Sequence, residues 1–160
     1  MTILDGQKIK WVGTTDFSEL YKYMKLWLED KGYLKEEKTL EKKYIERMKG
    51  DKRQLEIIWE VEKAKSEFFN YRMKITFLIL GMGDVEIQDN GVKRKVQKAT
   101  FEIRVFSYVE STKKWEELKG IQGFYHHLFI RKRLDEYAIE LYKKSTEYHS
   151  YIKTFLGLRD

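Results

Sequence analysis

Cysteine is absent from the 160 residues of this chain. Disulfide frameworks, thiolate zinc sites, iron–sulfur clusters and cysteine nucleophiles are therefore excluded. Proline is absent as well. With no Gly/Ser-rich tract and no fixed-period repeat, nothing reads as a linker. No apolar run reaches the roughly 18 residues of a membrane span, and Met1 to Lys10 lacks the apolar centre of a secretion signal. The expected setting is the cytoplasm. Asn and Gln number seven together, against 32 Lys and Arg and 26 Asp and Glu. That balance, without cysteine, resembles heat-adapted cytoplasmic proteins.

What is present points to one packed domain over residues 1–160. Hydrophobic residues make up 42% and aromatics 15%, enough for a core without metal or disulfide support. The formal net charge is +6, yet the signs alternate along most of the chain, as on a solvated face of exposed ion pairs. Two clusters break that alternation: Lys93, Arg94 and Lys95 with Lys98, and Arg131, Lys132 and Arg133. Such clusters serve as solubilising charges or attract phosphate, an anionic lipid surface or nucleic acid.

Periodicity supplies the elements. Lys8 to Val12 alternates, with Ile9 and Trp11 on one side, and reads as a short strand. A helix follows: Asp16 is placed to cap it, with Glu19 three residues on. Phe17, Leu20, Met24, Trp27 and Leu28 form its apolar stripe, and Gly32 is placed to end it. Tyr33 to Met48 tolerates helix and strand. Strand is favoured, because Lys49-Gly50-Asp51-Lys52 reads as a tight turn into a clear strand bearing Leu55, Ile57, Trp59 and Val61 on one face.

The next hairpin poses a register problem. Phe69, Tyr71, Met73, Ile75, Phe77 and Ile79 occupy odd positions, and beyond Asp89-Asn90-Gly91 so do Ala99, Phe101, Ile103, Val105 and Val109. A two-residue Asn-Gly turn would pair odd with even and set Phe77 against Arg104. Either a three-residue Asp-Asn-Gly loop restores the match, or a two-residue turn combines with a bulge near Gly81-Met82-Gly83. Both solutions set Phe77 opposite Ile103.

After Val109 the chain turns polar, with Trp115 and Leu118 anchoring a short element. Gly120 and Gly123 lead into a long helix from Phe124 to Leu156. Its heptad runs Leu134, Ala138, Leu141, Ser145, Tyr148, Ile152 and Phe155, and Gly157 is placed to stop it.

Chemistry-bearing motifs are missing. Gly81-Met82-Gly83 lacks the spacing and lysine of a phosphate loop, and there is no dinucleotide fingerprint or nucleophile elbow. His126 and His127 point about 100° apart on a helix, so one helix cannot aim both at a single ion. His149 is the third histidine. Paired carboxylates such as Glu36/Glu37, Glu116/Glu117 and Asp135/Glu136 sit in strongly polar contexts, as on a solvated face, whereas a catalytic pair needs one member desolvated. Neither a metal nor a cofactor is called for.

The expected fold is α+β: a bent antiparallel meander of four to five strands, packed against an N-terminal helix and a long C-terminal helix. That element order and the chain length resemble the helix-grip fold of START-domain and polyketide-cyclase-like proteins. The resemblance implies a sheet wrapped round the last helix with a ligand cavity between them. A non-catalytic binding or adaptor domain is then expected, holding an apolar small molecule or lipid, with Trp59, Tyr71, Phe77, Phe101 and Tyr148 as its lining. One alternative is nucleic-acid or polyanion binding through residues 93–98 and 131–133, with Tyr108, Tyr125 and Tyr151 stacking on bases. Another is a scaffold dimerising through the last helix, so both monomer and homodimer stay open.

Overall fold

Strand alternation carries through into a single sheet. The computed structural model describes residues 2–34, 40–118 and 124–157. In chain order these form β1 (Thr2–Thr15), α1 (Phe17–Asp30), β2 (Glu41–Lys49), β3 (Lys52–Ala64), β4 (Phe69–Asp89), β5 (Val92–Ser111), α2 (Lys113–Leu118) and α3 (Phe124–Leu156). The sheet is open and antiparallel, in the order β1-β5-β4-β3-β2. An antiparallel sheet with one helix near each end of the chain is the expected α+β layout, and it is compatible with a helix-grip-like topology. The positions of Gly120 and Gly123, and the side chains of Tyr125, His126 and His127, lie outside the described residues.

The hairpin between β4 and β5 adopts the second register solution. Asp89 pairs with Val92 across a two-residue Asn90-Gly91 turn, and both turn residues have positive φ, at 50° and 79°, as a type I′ turn requires. Parity is restored between Leu80 and Gly83, where β4 carries one residue more than β5. The ladder to β3 breaks at the same place, between Ile79 and Met82. Gly81, at φ +63°, occupies the bulge. Below it Ile79 faces Phe101, Phe77 faces Ile103 and Ile75 faces Val105, so the odd positions share one buried face.

β1 is longer than the five residues expected. It spans Thr2–Thr15, and two irregularities, between Thr2 and Leu4 and between Leu4 and Gln7, interrupt its pairing with β5. Each adds a residue on β1, so the period-two signal is lost before Lys8. Of the stretch from Tyr33 to Met48, for which strand was favoured, the part from Glu41 onward is strand β2, Tyr33 and Leu34 are not in a strand, and 35–39 lie outside the described residues. Gly50 at φ +66° makes the turn into β3.

Both long helices cover the odd-numbered face. Asp16 caps α1, its Oδ1 accepting the Glu19 N–H at 3.2 Å. At the other end Tyr33 donates to Leu28 O and Gly32 to Glu29 O, at 2.9 and 3.1 Å, a Schellman closure around Gly32 at φ +81°. Leu20, Met24, Trp27 and Leu28 are buried. On α3 the heptad faces inward: Leu141, Ser145, Tyr148 and Ile152 are buried. The seam therefore lies on this chain's own sheet. Where α3 approaches β5 the side chains shrink to Ser145 and Ser107, with oxygens 2.8 Å apart. Short side chains there let helix and strand come close. The polar stretch after β5 forms α2, whose Trp115 ring lies 5.3 Å from that of Phe69.

Candidate functional site

The five residues expected to line an interior site are all buried, each at most 1% exposed. Trp59, Tyr71, Phe77 and Tyr148 share one cluster, while Phe101 lies in a second with Leu55, Ile79, Met82 and Ala99. Trp59 stands edge-on to Phe77 and to Tyr21, with ring centroids 4.8 and 4.6 Å apart. Its indole N–H donates to the Tyr21 hydroxyl at 2.8 Å, and that hydroxyl donates to Glu41 at 2.6 Å. Burial and the Glu41 carboxylate together push the Tyr21 hydroxyl well above its ordinary pKa of 10.0. Tyr148 lies 4.5 Å from the Trp27 ring and donates to Met24 O at 3.2 Å, tying α3 to α1. Phe101 meets Trp11 and Phe17. Tyr71 donates to Glu140 of α3 at 3.2 Å, and Lys65 holds the same carboxylate at 2.9 Å. Trp59 thus packs on Phe77, Tyr148 on Trp27 and Phe101 on Trp11 and Phe17, and the polar atoms of Trp59, Tyr71 and Tyr148 are paired.

The two basic clusters are far less alike than they look in sequence. Lys93, Arg94, Lys95 and Lys98 lie exposed on the β5 side of the hairpin, but two of them are committed. Arg94 pairs with Asp16 at 2.7 Å and Asp89 at 3.5 Å, and Lys95 with Asp84 at 3.2 Å. Burial alone would raise Asp16, yet the Arg94 guanidinium and the Glu19 N–H outweigh it and hold the carboxyl below its ordinary value. Among the described residues, Lys93 and Lys98 meet no carboxylate. Arg131, Lys132 and Arg133 are exposed on α3. Lys132 and Arg133 border a surface cleft of about 330 Å3 with Glu136 and Tyr137.

Sequence reasoning missed the face that neither helix covers. On it the even positions of β3, β4 and β5 should be polar, but Ile58, Leu78, Leu80 and Phe106 are not. The register puts Ile58 beside Thr76 and Arg104 in one cross-strand row, and Leu78 between Glu56 and Glu102 in the next. A shallow depression of about 300 Å3 lies over them, lined by Glu56, Ile58, Thr76, Leu78, Glu102, Arg104 and Phe106. Its charged rim is organised: Lys43 meets Glu56 at 2.9 Å, while Arg104 and Lys8 meet Glu102 at 2.9 and 3.7 Å. Those cations hold both glutamates below their ordinary values. Lys74 Nζ stands 5.8 Å from the Phe106 ring centroid.

A local device in β1 makes room for that ring. Gly6 has φ +67°, and a Cβ there would sit 2.8 Å from Phe106 Cε1. Only glycine satisfies both constraints. The bulge thus lets Phe106 lie across the neighbouring strand. The signal was present in the sequence as Ile58, Leu78, Leu80 and Phe106, apolar residues at positions where alternation calls for polar ones.

No family model matches the chain, and no curated protein matches it. Among the described residues no cluster of three or more His, Asp or Glu is arranged to hold a metal ion, and no helix is long and apolar enough to cross a membrane. What the open face offers is contact: an apolar floor, one aromatic wall and fixed charges at the rim.

Proposed function

We propose that this chain is a non-catalytic binding domain that recognises its partner through the helix-free face of the sheet. The observation that carries this reading is the depression floored by Ile58, Thr76 and Leu78 and walled by Phe106. A half-buried apolar floor with a few fixed polar groups suits a flat apolar group bearing a charge. Such a ligand needs no rearrangement of the core, so little of its binding energy is spent on separating packed rings.

A second reading keeps the apolar small molecule or lipid between the sheet and α3, against Trp59, Tyr71, Phe77, Phe101 and Tyr148. The gathering of those rings under one helix, in a layout compatible with the helix grip, favours it. A ligand there would lie among ring contacts such as Tyr148 on Trp27. A cytoplasmic setting, read from composition, accords with either site.

The probe that separates the two is 1-anilinonaphthalene-8-sulfonate, a flat apolar anion whose emission rises in apolar surroundings. On the open-face reading Leu78→Glu abolishes the enhancement while the far-ultraviolet dichroism stays native. Enhancement that survives Leu78→Glu and disappears in Tyr148→Leu refutes it in favour of the interior site.

A further inference from the structure

We infer that the partner of the open sheet face is single-stranded nucleic acid, with Phe106 and Tyr108 as its stacking platform. The inference rests on the open-face reading and narrows it to a partner class. Phe106 and Tyr108 are successive outward positions of β5, both partly buried. An i, i+2 pair on a strand is separated by about 6.5–7 Å, so two neighbouring bases can each find a ring. Sheet faces bearing aromatic residues bind single strands in this way, because every base has a π-face to stack.

Charge supports the same partner. Lys8 and Arg104 already share Glu102, and Lys43 is taken by Glu56. Among the described residues, Lys10 and Lys74 form no ion pair, although the register sets Lys10 opposite Glu102 and Lys74 opposite Glu60, and Lys74 stands beside Phe106. Lys74, a cation beside the Phe106 ring, can meet a phosphate of a base stacked there. A second copy of this chain is a poorer occupant. On a two-fold axis a depression would face itself and leave a void where packing is needed.

The test is fluorescence anisotropy of a labelled oligouridylate of about twelve nucleotides, a length spanning one such sheet face, with the full chain over a rising salt series. Binding should appear at low salt and weaken as salt is added. Phe106→Ala should weaken it by about tenfold or more, and Phe106→Tyr should keep it. Lys74→Glu and Lys10→Glu should each weaken binding and flatten the salt slope. No anisotropy change at low salt overturns the inference. So does binding that ignores these changes but falls on charge reversal at residues 93–98 or 131–133. If the oligonucleotide fails while the Leu78-dependent dye binding persists, the open-face reading stands and only the nucleic-acid assignment falls. A dimer in solution that Leu78→Glu splits would assign the face to a second copy and likewise overturn it.

Discussion

The contact between Ser145 and Ser107 gives the sharpest test of how α3 is seated. Both residues are 0% exposed. Ser145 Oγ lies 2.8 Å from Ser107 Oγ and 2.8 Å from Leu141 O. One hydroxyl has one proton, so the arrangement is satisfied when Ser107 donates to Ser145 and Ser145 donates to Leu141 O. The two single changes are then unequal. Ser107→Ala leaves Ser145 its helix carbonyl and should cost about 0.5–1.5 kcal/mol, the net worth of one hydrogen bond. Ser145→Ala strands the Ser107 hydroxyl in the interior and should cost about 1–3 kcal/mol, a desolvation penalty. Removing both hydroxyls leaves no orphan. The double change should therefore cost less than the sum of the singles, by well over the roughly 0.3–0.5 kcal/mol within which independent sites add. Urea unfolding followed by tryptophan fluorescence measures all four proteins of the cycle. Additive costs, or a milder effect for Ser145→Ala than for Ser107→Ala, would refute this account of the interface.

Three further expectations follow from particular contacts. Gly81→Ala and Gly6→Ala both force alanine into positive φ, costing about 1–2 kcal/mol for the backbone alone. Gly81 has open space around it while Gly6 meets Phe106, so Gly6→Ala should lower the melting temperature more; equal shifts would contradict the packing of Phe106. Tyr21→Phe leaves the buried Trp59 N–H without its acceptor and should cost about 1–3 kcal/mol with an altered tryptophan emission; unchanged stability would deny that bond. Asp16 is held below its ordinary 3.8 in the folded protein. A depressed carboxyl contributes stability above that ordinary value, and the contribution is lost as pH falls through the folded one. The urea midpoint should therefore drop on acidification below about pH 4, and Arg94→Ala should lessen the drop. An acid profile identical in Arg94→Ala would show that the pair does not set it.

Much of the fold was legible because it depends on neighbours in sequence. Asp16 and Gly32 marked the ends of α1, since capping uses backbone groups three or four residues away. The odd-position alternation of β4 and β5 forced their apolar sides to the same face, and the heptad on α3 identified the stripe that would cover it. The sequence narrowed the hairpin to two registers. It also held the apolar anomalies at Ile58, Leu78 and Phe106, which became legible as a site only once the strands were laid side by side.

The remaining features depend on residues far apart in the chain. A bulge at Gly81 rather than a longer loop was selected where β3 and β5 both had to match β4, and no local preference records that double constraint. The extent of β1 was hidden because its two irregularities cancel the periodicity by which strands are recognised. The neutralisation of Arg94 by Asp16 joins residues 78 positions apart, so the cluster read as free charge in one dimension is half committed in three. Local rules of caps, turns and alternation determined the elements and the face each strand buries. Which charges stay free, and where the uncovered face sinks into a depression, were decided by packing, because both depend on which distant side chains become neighbours.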